Sequence, residues 1–178
     1  MSLRSVPWQG NLDGMSETKA ETEAKRRSKF LVVVDDTNEV RVAVRYATRR
    51  ARNVRSGVVM LRVIEPVDFQ QWAGVAEMMR SEAHEAAEDL LQKLAEQVNQ
   101  ESGLLPELVI REGVAKTEIL KLVDEDPNIR MLVLAAAPNA EGPGPLVTAL
   151  AGQMAGELKF PITVIPGGLS DEQIDRLT

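Results

Sequence analysis

From Leu31 to Val34 four apolar residues follow one another without a polar break, and the chain then passes through Asp35-Asp36-Thr37 with almost no loop into an amphipathic segment. A strand wet on one face alternates apolar and polar residues, so an unbroken run fits a strand covered by helices on both faces. Downstream of Asn38, Val40, Ala43, Val44, Ala47 and Ala51 recur at helical spacing and form one apolar stripe. Arg41, Arg45, Arg49 and Arg52 occupy the remaining faces, where charge runs are usually just solvated. This is the opening of a parallel α/β domain. In open parallel sheets ligands bind beyond the carboxyl ends of the strands, which makes the acidic pair a candidate site.

The rest of the chain repeats the alternation. Val58 to Ile64 read as a second strand closed by Glu65-Pro66, and the apolar spacing from about Gly74 to Gln100 predicts one long crossover helix. Leu108 to Arg111 make a short strand flanked by charge, suited to a sheet edge, and Gly113 permits a tight turn after it. A helix over 116–124 precedes Pro127 and the strand Met131 to Ala136. A Pro/Gly-rich loop, Pro138 to Pro145, leads into a helix predicted over Leu146 to Leu158 and a last strand, Ile162 to Ile165. The expected fold is therefore α/β: a three-layer sandwich with a five-stranded parallel sheet and helices on both faces. Residues 1–28 read as a flexible arm, 29–166 as the domain, and 167–178 as a tail that Gly167-Gly168 lets leave freely. Ser170 with Gln173 makes a capping-box pattern for a short helix in that tail.

With 178 residues and 44% hydrophobic content, the chain suffices for one domain with an adequate core. Cysteine is absent, which removes disulfides, thiolate catalysis and cysteine-bound metal. The lone His84 falls in the long charged helix as a surface residue, so neither a multi-imidazole zinc site nor a Ser-His-Asp triad is expected. No run approaches the roughly 18 apolar residues of a membrane span, and the N-terminus lacks the apolar core of a secretory signal. A cytoplasmic protein is expected. Between Lys25 and Arg55 ten basic residues face only Asp35, Asp36 and Glu39, within a chain whose total charge is −6. Tyr46 is the only aromatic residue interleaved with them apart from Phe30, and no nucleic-acid module is recognisable, so no nucleic-acid partner is expected.

Asp35 and Asp36 offer hard oxygen ligands, but neighbours in a strand point to opposite faces, so no metal site is expected. Instead Asp36 or Thr37 is expected to cap the following helix while Asp35 faces the crevice. Receiver domains also open on a strand and an acidic pair, yet the strand ends LVIREG, LVLAAA and ITVIPG supply neither their phosphoaccepting Asp nor their Lys. Asp-x-Asp spacing and a Gly-Lys-Ser/Thr loop are likewise missing.

The ordered set Val34-Asp35-Asp36-Thr37, Val63-Ile64-Glu65-Pro66, Glu112-Gly113 and Pro161-Ile162-Thr163-Val164 resembles the universal stress protein family over about residues 29 to 166. The resemblance implies an adenine nucleotide alpha hydrolase-like fold and a nucleotide-like pocket at Asp35, Asp36, Thr37, Val63 and Gly113. Members that bind ATP carry Gly-x-x-Gly, nine residues, then Gly-Ser/Thr after the fourth strand. An ungapped comparison places Ala135, Pro138, Thr148 and Ala149 at those positions. Pro138 has no amide to donate and β-branched Thr148 tolerates positive φ poorly, so the usual phosphate cradle is not expected. The resemblance thus implies a dimeric stress-response or regulatory module with no cofactor and no catalysis, open to protein partners. Its alternative is an ATP- or ADP-binding, slowly hydrolysing member using Gly142 and Gly144 in a remodelled loop. A third reading is a scaffold that binds an acidic partner through the basic helix face. Dimers of the family commonly form through the last strand, here Ile162, Thr163, Val164 and Ile165, which is an edge rich in β-branched residues.

Overall fold

A computed structural model describes residues 28–66, 73–138, 142–156 and 158–178; the N-terminal arm reading falls on residues outside these. Five strands and their crossovers follow in chain order: β1 (Lys29–Val34), α1 (Val40–Val54), β2 (Gly57–Ile64), α2 (Ala73–Ser102), β3 (Glu107–Glu112), α3 (Ala115–Glu125), β4 (Ile129–Ala136), α4 (Pro145–Val147), a π-helical stretch (Thr148–Gln153), β5 (Ile162–Pro166) and α5 (Asp171–Leu177). All strand pairs are parallel, in the order β3-β2-β1-β4-β5. The chain builds outward from β1 to β3, then returns to the other side of β1 for β4 and β5. The reversal sets the crevice between the ends of β1 and β4.

Burial follows the predicted pattern. Leu31, Val32, Met60, Leu61, Leu132 and Val133 have no exposed surface, which fits strands covered twice. Alternation along each strand divides the interior into two cores: Val32, Met60 and Val133 pack under α1 and α2, while Leu31, Leu61 and Leu132 pack under α3 and Leu150 of the π-helical stretch. β3 lies at one edge, as its flanking charge implies, and β5 at the other.

Three local expectations change. The helix over Leu146 to Leu158 is instead one α-turn followed by π-helical turns that end at Met154. Gly152 and Gly156 make the second half a poor α-helix, each costing about 1 kcal/mol relative to Ala. Neither Asp36 nor Thr37 caps α1: the helix starts at Val40 after Glu39, with no side-chain cap. Asp35 captures the chain first, its Oδ1 accepting from the Thr37 amide (3.0 Å) and hydroxyl (2.6 Å), which fixes a turn before the helix. Nor does the tail leave freely. Gly167 donates its amide to the Ala136 carbonyl (2.8 Å), and α5, closed by the reciprocal Ser170–Gln173 capping box, packs on α1 with Ile174 fully buried.

At the opposite end of the sheet, the Lys29 ammonium reaches Glu107 (2.6 Å) and Asp126 (2.8 Å), tying β1 to β3 and to the turn after α3. Burial alone would lower the Lys29 pKa, but its hydrogen bonds to Asp126 and Glu107 outweigh burial and hold it above the ordinary 10.5. Burial alone would raise Asp126, yet Lys29 and the Asn128 amide hold it below the ordinary 3.8. A depressed carboxylate contributes stability above its unfolded pKa and loses it as pH falls through the folded value. The raised ammonium contributes below 10.5 and loses its contribution as pH rises through its folded pKa. Lys29→Met should therefore cost about 0.5–1 kcal/mol near neutral pH, a deficit that shrinks as pH falls below the ordinary carboxylate range. Urea unfolding across acid pH checks it.

Candidate functional site: a crevice at the ends of β1 and β4

The polar groups at the carboxyl ends of the central strands do not act together. Asp35 is engaged by Thr37, whereas Asp36 turns the other way and pairs with the Arg62 guanidinium, whose Nη1 also donates to the Val34 carbonyl (3.4 Å). The two carboxylates do not converge, and the described residues contain no group of three or more metal-ligating side chains.

A crevice of about 770 Å³ opens beside Asp35. Val33, Asp35, Thr37, Glu39 and Val40 form one wall; Leu134, Ala135 and Ala137 form the floor at the end of β4; Gly142 to Ala149 and Gln153 form the far wall. Of the residues singled out in the sequence, the structure brings together Asp35, Thr37, Ala135, Gly142, Gly144, Thr148 and Ala149. Asp36, Val63, Gly113 and Pro138 do not line the crevice. Val63 packs instead with the core under α3. Gly113 donates its amide to the Ile64 carbonyl (3.0 Å) at φ +144°, and a Cβ there would lie 3.0 Å from the Glu118 side chain. It is a close-approach glycine, not a ligand contact.

Sequence reasoning does not single out Glu39, Leu134, Ala137 or Gln153. The position of Leu134 and Ala137 at the last strand end before the loop is the one signal that pointed toward them.

The universal stress protein family model matches residues 26–166. The chain belongs to the universal stress protein family. Solved structures agree on the fold. UspA of Lactobacillus plantarum superposes with a TM-score of 0.66 at 18% identity, covering 79% of this chain and 98% of that one. A universal stress protein in complex with cAMP gives 0.55 at 14% identity, covering 80% and 99%. One from Archaeoglobus fulgidus in complex with dAMP gives 0.54 at 15% identity, covering 79% and 98%. No curated protein sequence matches the chain. None of the described helices of this universal stress protein is long and apolar enough to cross a membrane.

The wall facing Asp35 is where this universal stress protein departs from the ATP-binding pattern. The Thr148 amide and hydroxyl both donate to the Gly144 carbonyl, at 3.0 and 2.9 Å, so neither is directed to a ligand. Gly142 (φ +112°) and Gly144 (φ +96°) adopt conformations that side chains rarely tolerate, and Pro143 between them offers no amide. Among the described residues, the crevice lining contains Asp35 and Glu39 but neither Lys nor Arg.

Proposed function

We propose that this chain is a dimeric stress-response or regulatory protein of the cytoplasm, without catalytic activity, whose crevice does not hold ATP through a phosphate cradle. The observation that carries this reading is the crevice wall: among the described residues, two carboxylates, no cation, and a Thr148 hydroxyl already bonded within its own turn. A triphosphate there would meet negative charge with little to compensate it. Its roles are then carried by protein contacts, while Asp35 and Thr37 on the crevice wall and Asp36, Val63 and Gly113 outside it serve the fold. Asp35→Ala should remove the Thr37 turn and cost about 1 kcal/mol, leaving any weak nucleotide response unchanged. A large loss of nucleotide affinity in that variant would contradict the reading.

A second reading rests on Gly142 and Gly144. Their positive φ values and their place in the crevice wall suit a loop that presents backbone amides to an anion. Relatives in complex with cAMP and dAMP favour adenine nucleotides as its ligands, and ATP or ADP with slow hydrolysis is the corresponding activity.

For the dimer, the β5 edge is the proposed seam. The Leu132 amide donates to the Pro161 carbonyl and the Gly167 amide to the Ala136 carbonyl. In a parallel ladder this turns the backbone groups of Thr163 and Ile165 toward β4 and those of Ile162 and Val164 outward. The register makes Val164 the position to block. Val164→Pro should halve the mass in solution, measured by light scattering, with the fold retained. An unchanged dimer would remove β5 as the seam.

A further inference from the structure

The arginines of α1 are not simply a solvated face. Together with the second half of α2 and Asp171 of α5 they border a groove of about 460 Å³ that shares no residue with the crevice. The middle of the groove is internally neutralised. Arg45 is held by both carboxylate oxygens of Asp175 at 3.0 Å and by Glu101 at 3.1 Å, and Arg49 meets Asp175 at 2.9 Å. Arg49 and Asn53 also donate to Thr178.

Arg52 differs. It lies seven residues beyond Arg45, about 10 Å along the helix, and makes no ion pair among the described residues. One turn before it stands Thr48. That residue lines the groove, is only 4% exposed, and its hydroxyl has no hydrogen-bond partner among the described residues. A helical threonine can usually satisfy its hydroxyl on a carbonyl of the preceding turn, and leaving one buried and unbonded costs stability. The Arg52 guanidinium and the Gln97 amide thus border the same groove, with the unsatisfied Thr48 hydroxyl buried in its wall.

We propose that this end of the groove is a binding site for a small phosphate-bearing ligand, independent of the crevice. A phosphoryl group carries the several acceptor oxygens that these donors lack, and the flat guanidinium fork matches two of them. Arg52 supplies the charge, Thr48 and Gln97 the remaining donors. The rest of the groove leaves room for the body of the ligand.

The probe is inorganic pyrophosphate, titrated at constant ionic strength and followed by the backbone amide and arginine Nε–Hε resonances. Saturable shifts are expected at Thr48, Gln97 and Arg52, with the crevice residues unmoved. Arg52→Gln should weaken binding about tenfold, whereas Arg50→Gln, which removes the same charge from an exposed position outside the groove, should leave it unchanged. Thr48→Val should raise the melting temperature and weaken binding together, since it removes an unsatisfied group that the ligand would satisfy. The absence of saturable shifts would overturn the proposal. Equal losses from Arg52→Gln and Arg50→Gln would also overturn it, showing diffuse attraction only.

Discussion

Gly167→Ala should lower the stability of the protein by about 1–3 kcal/mol, although the residue lies in a surface turn. A Cβ at Gly167 would sit 2.6 Å from the Ala136 carbonyl oxygen and would overlap the Glu39 side chain. Glu39 can withdraw its Cγ, though its Cβ, 2.9 Å away, moves only with the backbone. The carbonyl cannot withdraw, because it accepts the Gly167 amide at the end of the β4–β5 ladder. Relief therefore requires β5 to part from β4 or the turn to open, and either loosens the floor of the crevice at Ala137. Urea unfolding should show a lower midpoint with an unchanged slope. A wild-type midpoint would mean that the turn has slack absent from this packing.

Leu132→Ala is expected to cost about 2–5 kcal/mol, the range for a leucine truncated in a core that cannot collapse. Leu132 has no exposed surface and sits on β4 between Leu31 of β1 and Ile162 of β5, in the core that includes Ile119 and Leu150. Strands hydrogen-bonded on both sides cannot close over the void. The matching change at the edge, Leu108→Ala on β3, should cost far less, since Leu108 is already 40% exposed. Chemical denaturation of the two variants checks the pair, and a Leu132→Ala loss below about 1 kcal/mol would contradict the two-sided burial of β4.

Features set by local periodicity were legible in the sequence. The unbroken run at Leu31 to Val34 announced a doubly covered strand, the stripe Val40 to Ala51 announced α1, and charge around Leu108 placed β3 at an edge. The Ser170–Gln173 cap was readable because a capping box is a four-residue device. What escaped depends on contacts distant in sequence. Arg62 draws Asp36 away from the crevice across 26 residues, Ala136 makes Gly167 a packing position, and Asp175 reaches back 130 residues to Arg45. The π-helical turns escaped for another reason: Leu146, Val147, Leu150 and Met154 keep a spacing that fits an α-helix equally well. At the site, the loss of glycine at Ala135, Pro138 and Thr148 was visible directly. The diversion of the Thr148 hydroxyl to Gly144 was not.

The most direct test of a crevice without a phosphate cradle is a two-dimensional amide NMR titration with magnesium and ATP. The resonances of Ala135, Gly142, Gly144, Thr148 and Ala149 should stay in place at millimolar ATP. Saturable shifts confined to those residues would contradict this reading and establish the Gly142–Gly144 loop as a nucleotide site.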